Sequence, residues 1–184
     1  GSSHDIAGIQ IHDRRERNHS NSNPDIDFNR TKNNYCICDN TGGRSFNEYI
    51  DRQIAQRYTG KKSIRKDAVR MVTLLFTSDS EFFANKTLDE QRQFFQSCYE
   101  WAAKRWGAEN IISSYVHMDE DTPHMHLNLV PLTSDGRLSA KACIGNGSKA
   151  FQSLQDDFYK SVGVPYGLER GRRADLDNGE KPRR

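Results

Sequence analysis

The chain has 184 residues, of which 34% are hydrophobic and 28% charged, and a net charge of +2. That is one domain's worth of sequence, long enough to bury a core. No apolar run approaches the roughly 20 residues a membrane helix needs, and no secretory leader is visible, so neither a membrane protein nor a secreted one is expected. The charge is uneven. Residues 1–66 carry 12 basic and 8 acidic side chains, residues 67–132 carry 5 and 10, and residues 133–184 carry 10 and 7. Basic flanks around an acidic centre suit a polyanion held at both ends and worked on in the middle, although solvated charge without a partner gives the same pattern. The cysteines, Cys36, Cys38, Cys98 and Cys143, include no CxxC pair, which suits a reduced, cytoplasmic chain.

The first 44 residues are polar, with little periodicity. "NYCIC" (34–38) predicts a short strand. "SFNEYIDRQIAQRY" (45–58) opens with an S-x-x-E capping box, Ser45 and Glu48, and places Phe46, Tyr49, Ile50 and Ile54 on one helical face. "AVRMVTLLFT" (68–77) predicts a strand near the centre of a sheet. A second box, Thr87 and Glu90, starts a helix that should end at Gly107. Strands at 110–117 and 124–132 follow, joined by the short "MDEDTP" loop as an antiparallel hairpin. A last helix near 148–161 should close at Gly163, ahead of a basic tail. The fold class is therefore α+β: an antiparallel sheet with helices packed on it.

Three of the six histidines crowd into the hairpin, at His117, His124 and His126. Side chains at i and i+2 of a strand share a face, so His124 and His126 project together, about 7 Å apart at Cα. His117 ends the partner strand and can face them. Three converging imidazoles make a metal site with open positions, as a catalytic metal requires. Glu120, in the connecting loop, could add an oxygen ligand or orient an incoming group. The bland alternative, three histidines merely exposed at a hairpin tip, fits the same-face spacing less well. Met118 and Met125 read as packing residues.

The block "HMDEDTPHMH" (117–126) resembles the metal-binding motif of the MobV (Mob/Pre) plasmid mobilisation relaxases, of the HUH endonuclease class. Further blocks follow the family's order: "HDRRER" (12–17) is similar to its HxxR motif, "NRTKNNY" (29–35) to its R-x-x-x-N-Y motif, and "IRKDAV" (64–69) to a basic block before its central strand. "LERG" (168–171) is similar to the usual end of the relaxase domain. The resemblance implies a catalytic domain over residues 1–171, with 172–184 as a basic tail beginning a truncated C-terminal region. It implies a strand ahead of "AGIQIH" (7–12); that strand is either not in this sequence or its place in the sheet is empty.

The function it implies is site- and strand-specific nicking of plasmid or mobile-element DNA at an origin of transfer, through a covalent protein–DNA intermediate. His12 would be the nucleophile, Arg15 would position or stabilise the phosphate, and Glu120 would ligate the metal or orient the attack. His117, His124 and His126 would hold a divalent ion, Mn²⁺ ahead of Mg²⁺ or Zn²⁺. Arg14, Arg17, Arg30, Asn34, Tyr35, Arg65 and Lys66 would contact the DNA, a hairpin with its adjacent single strand, although Tyr35 reads equally well as a strand aromatic in the core. No membrane contact is expected from this domain. A rolling-circle replication initiator with the same metal-site class is the nearest rival; a plain metal hydrolase and a non-catalytic DNA-binding module are the others.

Overall fold

The structure, a computed structural model, describes residues 3–16 and 25–170. One four-stranded sheet lies at its centre, in the order β1 (Tyr35–Asp39), β3 (Ile111–His117), β4 (His124–Leu129), β2 (Val72–Thr77), with every pair antiparallel. Helices α1 (Ser3–Arg14) and α2 (Phe46–Arg57) pack on one face, and α4 (Leu88–Trp106) and α6 (Ser148–Phe158) on the other. Two short helices, α3 (Ser80–Ala84) and α5 (Ala140–Ile144), complete the set among the described residues. The α+β architecture is the one expected, and no helix among the described residues is long and apolar enough to cross a membrane.

Alternation along β4 creates two unlike faces. Met125, Leu127 and Leu129 turn toward α4 and are fully buried with Phe94, Phe95, Cys98 and Ala102. His124, His126 and Asn128 turn the other way, toward the end of α1. Both anticipated capping boxes form: Ser45 Oγ accepts from the Glu48 amide while Glu48 accepts from the Ser45 amide, and Thr87 and Glu90 repeat the pattern. Each cap is worth roughly 1 kcal/mol and fixes where its helix starts. α6 continues through a wider turn, Tyr159–Gly163, and a tighter one, Val164–Tyr166, so the helical run passes the glycine expected to close it and ends at Gly167, which takes the left-handed position, φ 72°.

β2, expected near the centre of the sheet, lies at its edge, and two boundaries moved. The ladder of β2 begins at Val72 rather than 68, and β4 stops at Leu129, just ahead of Pro131, which has no N–H to offer. The larger difference is α1, which was not expected. Its inward stripe is Ile6, Gln10 and Asp13: Ile6 and Asp13 are buried, and Gln10 Oε1 accepts from the Phe46 amide at 2.7 Å. A helix whose buried face is two-thirds polar shows no apolar period.

Candidate active site

The site is built where the last turn of α1 meets the β3–β4 hairpin. α1 ends in a Schellman turn: the Glu16 amide donates to Ile11 O (3.1 Å) and the Arg15 amide to His12 O (3.3 Å). Arg15 occupies the left-handed position of that turn, φ 51°, which glycine usually fills. An L-residue there costs on the order of 1 kcal/mol. The conformation is held by the side chain. Arg15 Nη2 donates to Asp119 Oδ1 and to Glu120 Oε1, both at 2.7 Å, and Nε donates to Asp119 Oδ2 at 3.2 Å. Strain stored next to reacting groups is a common mark of a functional site.

Four imidazoles converge here. His12, His117, His124 and His126 each offer one nitrogen within 4.8 Å of the others. Their side chains are 31%, 1%, 12% and 19% exposed, so His12 is the one on the rim. Two of the rings have one nitrogen committed to a backbone acceptor, and a third faces a carboxylate. A backbone carbonyl can only accept, so His117 Nε2–H donates to Asp13 O (3.1 Å) and His124 Nδ1–H to Thr122 O (2.9 Å). His126 Nδ1 faces Asp13 Oδ1 at 3.0 Å. His117 Nδ1 is left buried with no partner, an orphan lone pair of the kind a metal ion satisfies. Ligand nitrogens about 2.1 Å from one ion lie at most about 4.2 Å apart, so the cluster needs only a small contraction to hold one. The donor set fits a divalent ion.

Glu120 stands over this cluster. Its carboxylate oxygens lie 3.8 Å from His12 Nε2 and 3.9 Å from both His117 Nδ1 and His124 Nε2. It is thus within reach of an ion shared by the histidines, and of the group at the rim. Arg15 Nη1 lies 3.2 Å from His12 Nδ1. Burial, with the Arg15 charge next, holds the His12 pKa below its usual value, so the ring keeps a lone pair at neutral pH. The same two causes push His117 down to about 3. Asp119 sits at about 2: its burial acts to raise it, but bonds from Arg15, Thr31 and Asn34 outweigh that.

The remaining anticipated residues separate into two groups. Arg14 turns to Asp39 Oδ2 (2.9 Å), Thr41 Oγ1 (2.7 Å) and the Arg44 carbonyl. Asn34 donates to Asp119 (2.7 Å) and accepts from the Met118 amide (2.7 Å), while Arg30 reaches Glu120 O at 3.2 Å. All three therefore brace the chain around the site. Tyr35 packs into the apolar core with Arg92 over its ring, and burial raises its pKa to about 12. Arg65 is 80% exposed and paired with Asp67; with exposed Lys66 it precedes β2, which enters the sheet opposite Leu129, at the end away from His124. Arg17 and the basic tail lie outside the described residues.

Two residues of the site, Asp13 and Asn128, had drawn no notice, and Asp119 only as one of the acids between the histidines; all three are buried. Acids beside arginines read as solvated charge. Asn128 did carry a signal, being polar two residues after His126 on the inward face of an otherwise apolar strand.

The family model for plasmid recombination enzymes (Mob/Pre) matches residues 2–183. The chain belongs to the Mob/Pre family. A Staphylococcus aureus plasmid recombination enzyme type 3 is 45% identical over 174 residues, 94% of this chain, and a Bacillus plasmid recombination enzyme is 40% identical over 170 residues. The chain spans 41% and 40% of the length of these two Mob/Pre relatives. Among solved structures, the MobM relaxase domain, bound to manganese and to plasmid pMV158 oriT DNA, has a TM-score of 0.86 at 30% identity, covering 98% of this chain and 90% of that one. A further complex of the same Mob/Pre domain, with 26-nucleotide oriT DNA, has a TM-score of 0.75 at 26% identity.

Proposed function

We propose that this Mob/Pre domain is a relaxase that nicks one strand of plasmid or mobile-element DNA at an origin of transfer and holds one end covalently through His12. The carrying observation is a partly exposed imidazole, kept unprotonated, at the rim of three metal-competent imidazoles. The names of its relatives and the oriT DNA bound to MobM support the substrate class, and the manganese in MobM supports Mn²⁺ as the ion. Bound by His117, His124 and His126, that ion would supply Lewis acidity and a fixed place for the scissile phosphate.

The protein's own residues then have definite tasks. A ring nitrogen of His12 forms a P–N bond as the P–O bond to the departing strand end breaks. The ring's other N–H proton is released and the leaving oxygen takes up a proton, giving a phosphoramidate and a free hydroxyl. The P–N bond conserves the energy of the broken linkage, so a returning hydroxyl can reseal the strand. Arg15 carries a fixed positive charge beside the reacting nitrogen, placed to offset charge on the phosphate oxygens. Glu120 is within reach of both His12 and the ligands, as a further ligand or as the group that orients the attack. The exposed Arg65 and Lys66 contact phosphates of the oriT hairpin and single strand, positioning rather than reading sequence. The four described cysteines are free thiols, as befits a cytoplasmic enzyme acting on plasmid DNA.

Tyr115, on the same face beside His126, is a poor rival nucleophile. Its hydroxyl donates to Asp39 at 2.5 Å, and burial together with that bond raises its pKa. The test is supercoiled oriT plasmid incubated with Mn²⁺ and run on a denaturing gel. A protein–DNA band is expected for wild type and for Tyr115→Phe, and none for His12→Ala, which should still bind the DNA. An unchanged band from His12→Ala removes it from this role.

A further inference from the structure

The end of α1 does more than present His12. Asp13 is 2% exposed, with its carboxylate wholly enclosed beneath the histidine cluster. It touches two of the three anticipated ligands by different atoms. Its backbone carbonyl belongs to the last turn of α1, where carbonyls lack an intrahelical donor, and takes the N–H of His117 at 3.1 Å. Its side-chain Oδ1 lies 3.0 Å from His126 Nδ1, and neither atom has a hydrogen-bond partner as placed, so each is left for the other.

The carboxylate is fixed from below by the sheet. Asn128 Nδ2 donates to Asp13 Oδ2 (2.5 Å) and is shared with Ser113 Oγ (3.1 Å), while Asn128 Oδ1 accepts from Thr73 Oγ1 (2.6 Å). Thr73 leaves Asn128 as a donor toward Asp13, which turns the other carboxylate oxygen to His126. The order Thr73–Asn128–Asp13–His126 runs from the edge strand to the ring.

We infer that Asp13 is a positioning residue for the metal centre: it holds His126 with its proton on Nδ1, so that Nε2 is presented to a divalent cation, and its carbonyl does the corresponding service for His117. A ligating imidazole whose other nitrogen donates to a carboxylate or carbonyl is fixed in orientation and made a stronger donor. Because Asp13 adjoins His12, one short stretch of helix would set both the ligands and the nucleophile. The inference rests on the reading that these histidines hold a divalent ion, so one arm of its test is run without metal.

In the metal-free protein labelled with ¹⁵N-histidine, long-range ¹H–¹⁵N spectra report each ring's tautomer. His126 is expected as the Nδ1–H form in wild type and His117 as the Nε2–H form. In Asp13→Ala, His126 should shift toward Nε2–H, the form usual in water, while His117, whose acceptor is backbone, keeps its own. A change at both rings would mean a displaced helix and a merely structural role. In the second arm, free Mn²⁺ is followed by electron paramagnetic resonance during titration of the intact domain. Affinity should fall about 10- to 100-fold in Asp13→Ala and less in Asp13→Asn, which keeps an acceptor oxygen. Where Asp13→Ala fails to fold, Asp13→Asn and the wild-type tautomer still decide. An Nε2–H His126 in wild type, or Mn²⁺ affinity within about twofold in both folded variants, overturns the inference. If wild type binds no Mn²⁺, the metal reading fails while the tautomer result stands.

Discussion

The two faces of the sheet come from the same strands yet are put to different use. On the α4 side, Val116, Met125, Leu127 and Leu129 meet Phe94, Phe95 and Trp106 in a close-packed apolar layer. On the α1 side, around the histidines, the contacts are polar: Arg15 and Asn34 donate to Asp119, and Asn128 donates to Asp13, at 2.5–3.2 Å. Apolar packing is tolerant of direction, whereas hydrogen bonds to buried charges specify angle and tautomer. Both faces hold apolar cores, with Ile6, Phe46, Ile50 and Ile112 buried on the α1 side, but that side also holds strained and buried polar groups, at its histidine end.

Variants on each face test this division. Phe94→Ala, which empties a fully buried aromatic site, should cost about 3–5 kcal/mol by chemical denaturation. The rate of adduct formation per folded molecule should hardly change. On the other face, Asp119→Ala leaves Arg15 without its main partner, at a cost of similar order. Here the adduct rate should fall with it, because Arg15 then loses the contacts that hold it in its left-handed conformation. A variant of Asp119 that lost stability but kept the full rate would break the distinction.

Acid should act on the polar face first. His117 has a pKa of about 3 when folded against 6.5 otherwise, so between those values the unfolded chain binds the extra proton. Metal-free stability is therefore flat above pH 6.5 and declines as pH falls toward 3, by an amount on the order of a few kcal/mol. Asp119, depressed to about 2, is shifted in the same direction and adds its loss only below about 3.8. Equilibrium unfolding across pH 3–8 measures both, and His117→Ala should flatten the upper part of the curve.

The smallest effects belong to neither face. Arg65→Ala and Lys66→Ala should leave stability within about 0.5 kcal/mol. Each should lower the slope of log K against log salt for oriT DNA by about 1, without altering the adduct once DNA is saturating.

What could be read from residues alone follows a different division. The main elements were legible on both faces: two strands about a short loop marked β3 and β4, and the two capping boxes placed α2 and α4. The histidine spacing was legible too, because a period of two on a strand is rigid. α1 was hidden because its buried stripe is Ile6, Gln10 and Asp13, and polar burial leaves no periodic trace. The protein partners of Arg14, Arg30 and Asn34 were not legible, because a sequence shows donors but not the carboxylates and carbonyls that folding brings beside them. Asp119 supplies one such acceptor to Asn34, and lies 85 positions further along the chain.

The central claim is that residue 12 itself carries the DNA. Digesting the trapped adduct and locating the nucleotide by mass spectrometry tests it directly. A phosphoramidate, labile to acid and stable to base, on the peptide containing His12 is the predicted result. A nucleotide on any tyrosine, or efficient Mn²⁺-dependent nicking with no trapped adduct, would contradict it.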